Sequence, residues 1–436
     1  MDERLKRVAA IFAVAGTGIV PIEDALGSGF QLRENSASAL GNAFAGGAVS
    51  TEDPSIIANN PAGMTDLSGN QVSSVLSIVI PSAIFSGMGL NVAHRPIGGS
   101  NGGDAGSAQP VPALYGALDG SPGLKFGLAV TTPFGLKSQY NSDWVGRYQA
   151  IKSDLEIINI NPNIAYRVTD WLSIGGGPAI QHASAELTNA INSTTVARLA
   201  NPLVPVGLTL PDGSVRVTGD SLSVGYNLGV LAEISQGMRL GASYRSQISH
   251  RLEGSAMLNV PASLLADPRF QNTLTRTDLK TPDIVTAAGS YHISPDLILL
   301  VEVQWTNWSV VKNLRVERPD GSALTDQPEQ WHGTWFASIG GSYHPDPSWT
   351  IRGGFAFDPT PIRNQFRTAR LPDADRYWLA VGLGYTWTPR LRFDVAYVHI
   401  FGGSAPINEV SQTGDMLVGR YSNHIDLVSL SATLRF

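Results

Sequence analysis

The sequence contains no cysteine, and only 15% of its 436 residues are charged. The absence of cysteine excludes a disulfide scaffold, a thiolate metal site and a cysteine nucleophile, and it fits an oxidising compartment where a free thiol is a liability. The charged fraction lies well below the roughly one quarter that soluble proteins carry. The net charge of −6 comes from scattered residues of both signs without a basic stripe, so we expect no nucleic-acid partner.

Beyond the N-terminus, the sequence also lacks any run approaching the roughly 20 apolar residues of a membrane-spanning helix. The N-terminus itself combines basic residues between Asp2 and Arg7, a short apolar run from Val8 to Val20, and small residues near Ala25. This pattern predicts a signal peptide over residues 1–27 and a mature chain that starts near Ser28. A mature chain that spans a membrane must then be a closed barrel, because lipid cannot satisfy unpaired strand edges.

Apolar and small or polar residues alternate strictly in several segments. From Leu222 to Glu233 one face is almost wholly apolar, and from Val428 to Phe436 the alternation recurs and ends on an aromatic residue. This period indicates β-strands. It does not by itself separate a soluble sandwich from a membrane barrel, because both place opposite kinds of residue on the two faces.

The connections between the predicted strands separate these two folds. Tight turns such as Thr169-Asp170 and Gln236-Gly237 alternate with long polar loops, which is typical of a bacterial outer-membrane barrel. Aromatic residues at strand ends, such as Trp171, Trp349 and Trp378, fit interfacial girdles, although each one could equally be ordinary packing. We predict an all-β, 14-stranded antiparallel transmembrane barrel over residues 70–436, with strands at 70–83, 108–118, 124–133, 155–168, 172–189, 219–235, 238–255, 283–292, 297–314, 334–344, 349–357, 376–386, 391–399 and 423–436.

Residues 28–69 do not have the strand pattern. They are rich in Ala, Ser, Gly and Asn, with Ser36 as the expected cap of one short helix and Asp53-Pro54-Ser55 as the start of another. We therefore predict a small helical domain ahead of the barrel, and a barrel lumen is one of the few places where it could lie.

Several motifs, in order along the chain, resemble those of the long-chain fatty acid transporter family, FadL, and its toluene and xylene channel branch. They are SGFQL, LGNAFAGGA, Asn60-Pro61-Ala62, WTIRGGFAFDPTPI, LPDADRYWLAVGLGY and DVAYVH followed by INE. The resemblance covers essentially the whole mature chain. It implies a 14-stranded barrel closed by an N-terminal hatch over residues 28–69.

The same resemblance implies a function in the outer membrane of a Gram-negative bacterium. We expect uptake of hydrophobic small molecules, foremost long-chain fatty acids, which bind under the hatch and leave sideways into outer-membrane lipid. It implies that Phe30 and Arg315 contact substrate, Arg315 near a carboxylate, and that Asn60 to Ala62 hold the hatch against the wall. We further expect a monomer. The C-terminal alternation that ends on Phe436 resembles the signal that the barrel-assembly machinery reads, so we expect this machinery to insert the chain.

A lateral opening has a candidate in the third predicted strand, at Thr132, Pro133, Phe134 and Gly135. Proline removes a ladder donor and glycine weakens pairing beside it, and the resemblance implies a kink in this strand. The alternative is that Pro133 only ends the strand.

Charged residues on the predicted lumen face include Asp358 and Arg376, which flank one loop and which we expect to pair as part of the gate. A second basic position of the family, on the fifth strand, is uncharged here near Asn189. This departure leaves an aromatic hydrocarbon of the toluene and xylene type open as the alternative substrate.

Other classes of protein find less support in the sequence. An outer-membrane lipase would need a GxSxG elbow, which is absent, and the eight histidines have no metal-ligand spacing. A general porin would lack a plug. We therefore expect no enzyme, no catalytic residue, no metal site and no cofactor.

Overall fold

The computed structural model describes residues 29–201, 203–205 and 207–436, so the predicted signal peptide lies outside the described residues. Within them, eighteen strands form one sheet: β1 (Gln71–Leu90), β2 (Gln109–Asp119), β3 (Leu124–Gln139), β4 (Lys152–Thr169), β5 (Leu172–Ile191), β6 (Gly213–Ser235), β7 (Met238–Arg245), β8 (Ile248–Asn259), β9 (Thr273–Thr281), β10 (Ile284–Ser294), β11 (Leu297–Thr306), β12 (Asn313–Glu317), β13 (Ala323–Pro328), β14 (Thr334–Asp346), β15 (Trp349–Asp358), β16 (Arg376–Thr388), β17 (Leu391–Val410) and β18 (Met416–Arg435).

The helices are few and short. They are the α-helices α1 (Ala37–Leu40), α2 (Ile56–Asn59) and α3 (Ser193–Ala200), and the 3-10 helices Pro61–Asp66, Ala262–Leu264, Pro268–Phe270, Trp308–Val310 and Asn364–Phe366. No helix among the described residues is long and apolar enough to cross a membrane.

The sheet closes into the predicted 14-stranded antiparallel barrel. Four barrel strands are interrupted once each, so that β7 continues into β8, β9 into β10, β11 into β12 and β13 into β14. β18 pairs with β17 on one side and with β1 on the other. The ring of strands is thereby closed, and a closed barrel is the form in which strands can span lipid.

The two ends of the barrel differ as the sequence predicts. Short turns join β2 to β3, β4 to β5, β6 to β7, β10 to β11, β14 to β15 and β16 to β17 at one end, which we call the turn end. Longer connections, such as residues 91–108, 192–212 and 359–375, lie at the other end, the loop end. The first and last strands meet at the turn end, where the Phe436 N–H donates to the Asn70 carbonyl at 2.9 Å.

The exposed surface of the wall is apolar. Leu222, Val224 and Leu228 of β6 are 71%, 66% and 53% exposed, whereas Ser73 and Ser77 on the inner face of β1 are fully buried. A soluble sandwich would bury the first set and expose the second. The arrangement is that of a barrel whose outer face meets lipid.

The predicted strands are too short at the loop end. β1 runs on to Leu90, β3 to Gln139 and β17 to Val410, and β9 and β13 were not predicted. The prediction that Trp378 belongs to an interfacial girdle is wrong, because Trp378 faces the lumen, is 1% exposed and packs against Phe336. Trp171 and Trp349 do face outward at the turn end, 54% and 38% exposed.

Residues 29–70, which we call the lumen segment, fold inside the barrel. Helix α1 packs on β16, β17 and β18, and the 3-10 helix Pro61–Asp66 packs on β3 to β6. The side chain of Ser36 accepts a hydrogen bond from the Ala39 N–H at the start of α1, and Asp53 accepts one from the Ser55 N–H ahead of α2. The cap expected at Ser36 is therefore present, whereas Ser55, the N-cap residue of α2, makes no side-chain cap hydrogen bond, and both helices are only one turn long.

Candidate functional site

The first residues of the lumen segment pair with β3. The Leu32 N–H donates to the Pro133 carbonyl at 2.9 Å, and the Gly135 N–H donates to the Phe30 carbonyl at 2.9 Å. Gln31 and Phe134 face each other between these two bonds as an antiparallel pair. Phe30 to Leu32 therefore form a short additional strand on one edge of β3.

That edge of β3 is available because β2 diverges from it. The two strands pair from Asp119 and Lys125 as far as Leu114 and Val130, whereas residues 109–113 of β2 pair with β1 alone. β3 also bulges against β4 between Thr131 and Phe134. The wall consequently has a gap at the height of Thr132 to Gly135. Pro133 does not end its strand, because β3 continues to Gln139.

Two prolines of β2 explain why its edge stays unpaired. Pro110 and Pro112 lie two residues apart in the part of β2 that has no partner on the β3 side. A strand tolerates proline where the missing N–H would face no neighbouring strand. These prolines were not singled out from the sequence, although two prolines at alternate positions of one strand indicate an unpaired edge.

A cavity of about 460 Å³, the gap cavity, lies at this opening. Gly29, Gln31 and Leu32 line its inner side, and Pro110 and Val111 line its wall. The lining also includes Arg376 on the lumen side and His424, which is exposed on the outer face of β18. The gap cavity therefore extends from the lumen through the wall.

A second cavity, of about 140 Å³, lies nearer the loop end, and we call it the outer cavity. Its lining is largely apolar and comes from β3 to β6, β8, β9 and β12, from the interruptions that follow β11 and β13, and from the loop between β15 and β16. Phe30 faces it and is 6% exposed. The ring of Phe30 packs edge-on or tilted against three others, those of Trp308, Trp331 and Phe134, with centroids 4.9, 5.6 and 5.8 Å away.

The start of the lumen segment separates the two cavities. Phe30 lines the outer cavity, while its neighbours Gly29 and Gln31 line the gap cavity. Leu136, Asp154, Leu155 and Leu371 line both. The two cavities are therefore neighbours, and the start of the lumen segment lies between them.

The rest of the lumen segment is fastened to the wall through Asn60. Its side-chain amide donates to the Ala48 carbonyl at 2.8 Å and to the Val230 carbonyl of β6 at 2.9 Å, and its carbonyl oxygen accepts from the Ala62 N–H at 3.1 Å. A Cβ at Gly229 would come within 2.0 Å of the Asn60 side chain. Glycine is therefore required in the wall where the Asn60-Pro61-Ala62 motif meets it.

Charged residues hold the lumen segment at the turn-end half of the barrel. The carboxylate of Glu52 pairs with Arg352 and with Arg392, the second at 2.7 Å. Asp66 pairs with Arg167 at 2.5 Å. Burial alone would raise the pKa of Glu52, but the two guanidinium groups outweigh burial and lower that pKa to about 2. Glu52 is therefore a carboxylate at any physiological pH.

A further charged group surrounds the beginning of the lumen segment. Asp358 and Arg376 lie directly opposite each other on β15 and β16. Arg376 pairs with Asp373 at 2.9 Å, and Asp358 lies 4.0 Å from Arg33. The Gly29 N–H also donates to Asp373 at 2.8 Å. The expected partners Asp358 and Arg376 thus belong to a larger cluster that contacts the lumen segment.

The structure turns Arg315 away from the outer cavity. Its neighbours Leu314 and Val316 line that cavity, whereas Arg315 is exposed and pairs with Glu317 at 2.8 Å and Asp326 at 2.7 Å. The expectation that Arg315 meets a substrate carboxylate finds no support in this placement. The cavity is lined instead by Arg370, a loop residue that the sequence did not single out because it neighbours the cavity only after folding.

Comparison with known proteins identifies the family to which this chain is similar. Residues 20–436 match the family described as "Outer membrane protein transport protein (OMPP1/FadL/TodX)". The chain is 30% identical to Outer membrane protein P1 of Haemophilus influenzae over 414 residues, which are 88% of each protein. It is 27% identical to the Long-chain fatty acid transport protein of Salmonella typhi over 396 residues, which are 88% of this chain and 89% of that one.

Solved structures agree. A FadL homologue of Pseudomonas aeruginosa superposes with a TM-score of 0.88 at 26% identity, covering 94% of this chain and all of the other. The Pseudomonas putida toluene transporter TodX superposes with a TM-score of 0.66 at 18% identity, covering 92% and 99%. The second likeness concerns the fold alone. From the family match and the barrel, we conclude that this chain belongs to the OMPP1/FadL/TodX family of transport proteins and resides in the outer membrane of a Gram-negative bacterium.

Proposed function

We propose that the chain takes up hydrophobic small molecules, foremost long-chain fatty acids, holds them in the outer cavity and releases them sideways into the membrane. The observation that carries this proposal is the gap between β2 and β3, filled from inside by Phe30 to Leu32. An apolar molecule gains little from a water-filled channel but is favoured by transfer from an apolar cavity to lipid. A lateral exit fits such a molecule.

Exposed leucines at the loop end support a first step of capture. Leu199, Leu203 and Leu208, in and after α3, are 70%, 88% and 44% exposed. Exposed apolar side chains grouped on one loop commonly mark a surface that binds apolar partners. We infer that the ligand first contacts this loop and then enters the outer cavity beside Phe30.

Release then requires the start of the lumen segment to move, and the remainder of the segment acts as the hatch. Only two backbone hydrogen bonds join Phe30 and Leu32 to β3 within the described residues. Each contributes about 0.5–1.5 kcal/mol net. By contrast, Asn60 and Glu52 anchor the rest of the segment with several bonds. We therefore infer a local movement of the first residues rather than departure of the whole hatch.

A reversible covalent lock tests this route. Gln31 and Phe134 form a pair without mutual backbone hydrogen bonds, and in such pairs the Cα atoms lie about 4.5 Å apart, within reach of a disulfide. The chain has no other cysteine. We expect Gln31→Cys with Phe134→Cys, once oxidised, to stop uptake of labelled oleate by intact cells, and reduction to restore it.

The matched control locks the wall elsewhere. Ser77 and Ser429 face the lumen from adjacent strands and their hydroxyl groups are 2.8 Å apart. Oxidised Ser77→Cys with Ser429→Cys should transport at the normal rate, because it leaves the lumen segment untouched. Undiminished uptake by the oxidised Gln31 and Phe134 pair would refute release past this segment.

An aromatic hydrocarbon is the second candidate substrate. The rings of Phe30, Trp308 and Trp331 beside the outer cavity, together with the uncharged Asn189, favour a neutral aromatic ligand. Uptake of labelled toluene, measured in the same cells with the same lock, distinguishes the two classes. If the oxidised lock stops uptake of toluene, and oleate is not taken up even without the lock, the substrate of the chain is a hydrocarbon.

A further inference from the structure

Arg370 is the one cation that lines the outer cavity among the described residues. It lies in the loop between β15 and β16, next to Leu371, which stands between the two cavities. One terminal nitrogen donates to the Asn189 side-chain oxygen at 3.0 Å, and the other lies 3.4 Å from the Lys152 carbonyl and 3.4 Å from the Ser153 hydroxyl. All three acceptors are neutral. Burial lowers the pKa of Arg370, but a guanidinium group stays charged in proteins.

The other charged groups that line the outer cavity already have partners of their own. Asp154 pairs with Lys152 at 3.2 Å, and Asp278 pairs with Arg251 at 3.4 Å. Glu329 accepts a hydrogen bond from the Trp331 indole N–H at 2.9 Å. In the described part of the chain no carboxylate lies within ion-pair distance of Arg370, whose guanidinium group carries five N–H donors and uses three in the contacts above.

Glu409 and, less strongly, Glu329 are the carboxyl groups that act on Arg370 at longer range, and each accepts a hydrogen bond from another donor. Glu409 accepts from the Ala369 N–H at 2.7 Å. Burial raises the pKa of Glu329 to about 8, and the nearby Glu409 adds to the rise, so Glu329 is mostly protonated at pH 7. A partly buried cation is thus left beside an apolar cavity with spare donors.

We propose that Arg370, supported by Asn189, binds the carboxylate of an amphiphilic ligand whose chain occupies the outer cavity, and so sets the preference for fatty acids over neutral hydrocarbons. The inference rests on the proposed function. It assigns the anion-binding role to a loop arginine that contacts the fifth barrel strand, where the chain itself has the neutral Asn189. A planar guanidinium group suits a carboxylate because it can donate two parallel hydrogen bonds.

Two ligands that differ only in the head group test the proposal. Dibromostearate and dibromostearyl alcohol have the same chain, and their bromine atoms quench the fluorescence of nearby tryptophans such as Trp308 and Trp331. Equilibrium binding is measured at pH 7 with the intact barrel in lipid nanodiscs. Arg370→Gln should weaken binding of the acid by roughly tenfold or more, the effect expected from losing a charge-assisted hydrogen bond, and change binding of the alcohol less than about twofold.

A second variant and a matched control make the result specific. Asn189→Asp keeps the bond to Arg370 but adds a carboxylate beside it, so the acid should again bind more weakly while the alcohol is unaffected. Arg315→Gln removes an exposed arginine that does not line the outer cavity and should change neither. The shift of the folded barrel in unheated gel electrophoresis verifies that each variant has folded.

The outcomes separate this inference from the proposed function. If Arg370→Gln weakens binding of the acid and of the alcohol equally, Arg370 has only a structural role. If it leaves binding of the acid unchanged, Arg370 does not contact the carboxylate. Wild-type binding of the alcohol at least as tight as that of the acid would also overturn the inference while leaving hydrophobic uptake in place. Binding of neither ligand by the wild type would overturn both.

Discussion

Pro133 limits how firmly the lumen segment is held, and replacing it should slow release. Because the Pro133 carbonyl accepts from the Leu32 N–H, the missing N–H of Pro133 would point at the same segment. Pro133→Val supplies that donor opposite the Leu32 carbonyl. One additional hydrogen bond contributes about 0.5–1.5 kcal/mol net, and valine also favours the extended conformation. The closed arrangement should be favoured by roughly 2- to 12-fold over the open one.

The assay separates release from binding. Uptake of labelled oleate by intact cells should fall by up to about tenfold, in proportion to the open population. Binding of a brominated fatty acid should not change, since Pro133 does not line the outer cavity. Pro162→Val, in β4 and outside both cavities, is the control for proline replacement in a strand. Uptake at the original rate despite the new donor would mean that ligand does not pass this segment, and lateral release would have to be abandoned.

Three further results are expected. Phe30→Ala should weaken ligand binding by roughly 1–3 kcal/mol, which is the free energy gained by burying an aromatic side chain. Unchanged fluorescence quenching by the brominated fatty acid would contradict this. Glu52→Gln should loosen the hatch and raise single-channel conductance in planar bilayers. In the wild type the pKa of Glu52 is lowered in the fold, so the same loosening should set in as the pH falls from the ordinary pKa of glutamate toward about 2. Tags inserted near 100, 265, 325 and 410 should be labelled on intact cells and a tag near 237 should not, and deletion of Phe436 should reduce membrane insertion; surface labelling at 237 would contradict the topology.

The number of barrel strands could be predicted because lipid imposes a strict alternation on them. Outward positions such as Leu222 and Val224 must be apolar, and inward positions carry small or polar residues. Outside the lipid this constraint ends. In the loop-end parts of β17 and β18 the arrangement is reversed, because the buried inward face carries Ala405, Ile407, Leu417 and Tyr421 while outward positions such as Arg420 are polar. An alternation with its apolar face turned inward does not continue the apolar outer face of the lipid-facing strands, so the predicted strands stop short of it.

The candidate site was predictable only where a motif lies within one stretch of sequence. Asn60 to Ala62 and Phe30 are close to the wall and the outer cavity, as the resemblance implied, and their functional roles remain proposals. Arg370 lies 181 positions from Asn189, which its guanidinium group contacts. No local pattern connects these residues. The same holds for the pairing of Phe30 to Leu32 with β3, because an additional strand of three residues has no detectable period.

The four interrupted strands explain how a rigid wall can contain an adaptable cavity. The breaks fall at neighbouring places in the sheet, and two of them turn Trp308 and Trp331 inward, where they are 1% and 6% exposed. Beyond the breaks, β8, β9, β12 and β13 pair with one another, and β8, β9 and β12 contribute to the lining of the outer cavity. Lipid therefore constrains only the continuous part of the wall. Because much of the cavity lining comes from strands and loops beyond that part, those residues can change with the ligand while the membrane-spanning barrel stays the same.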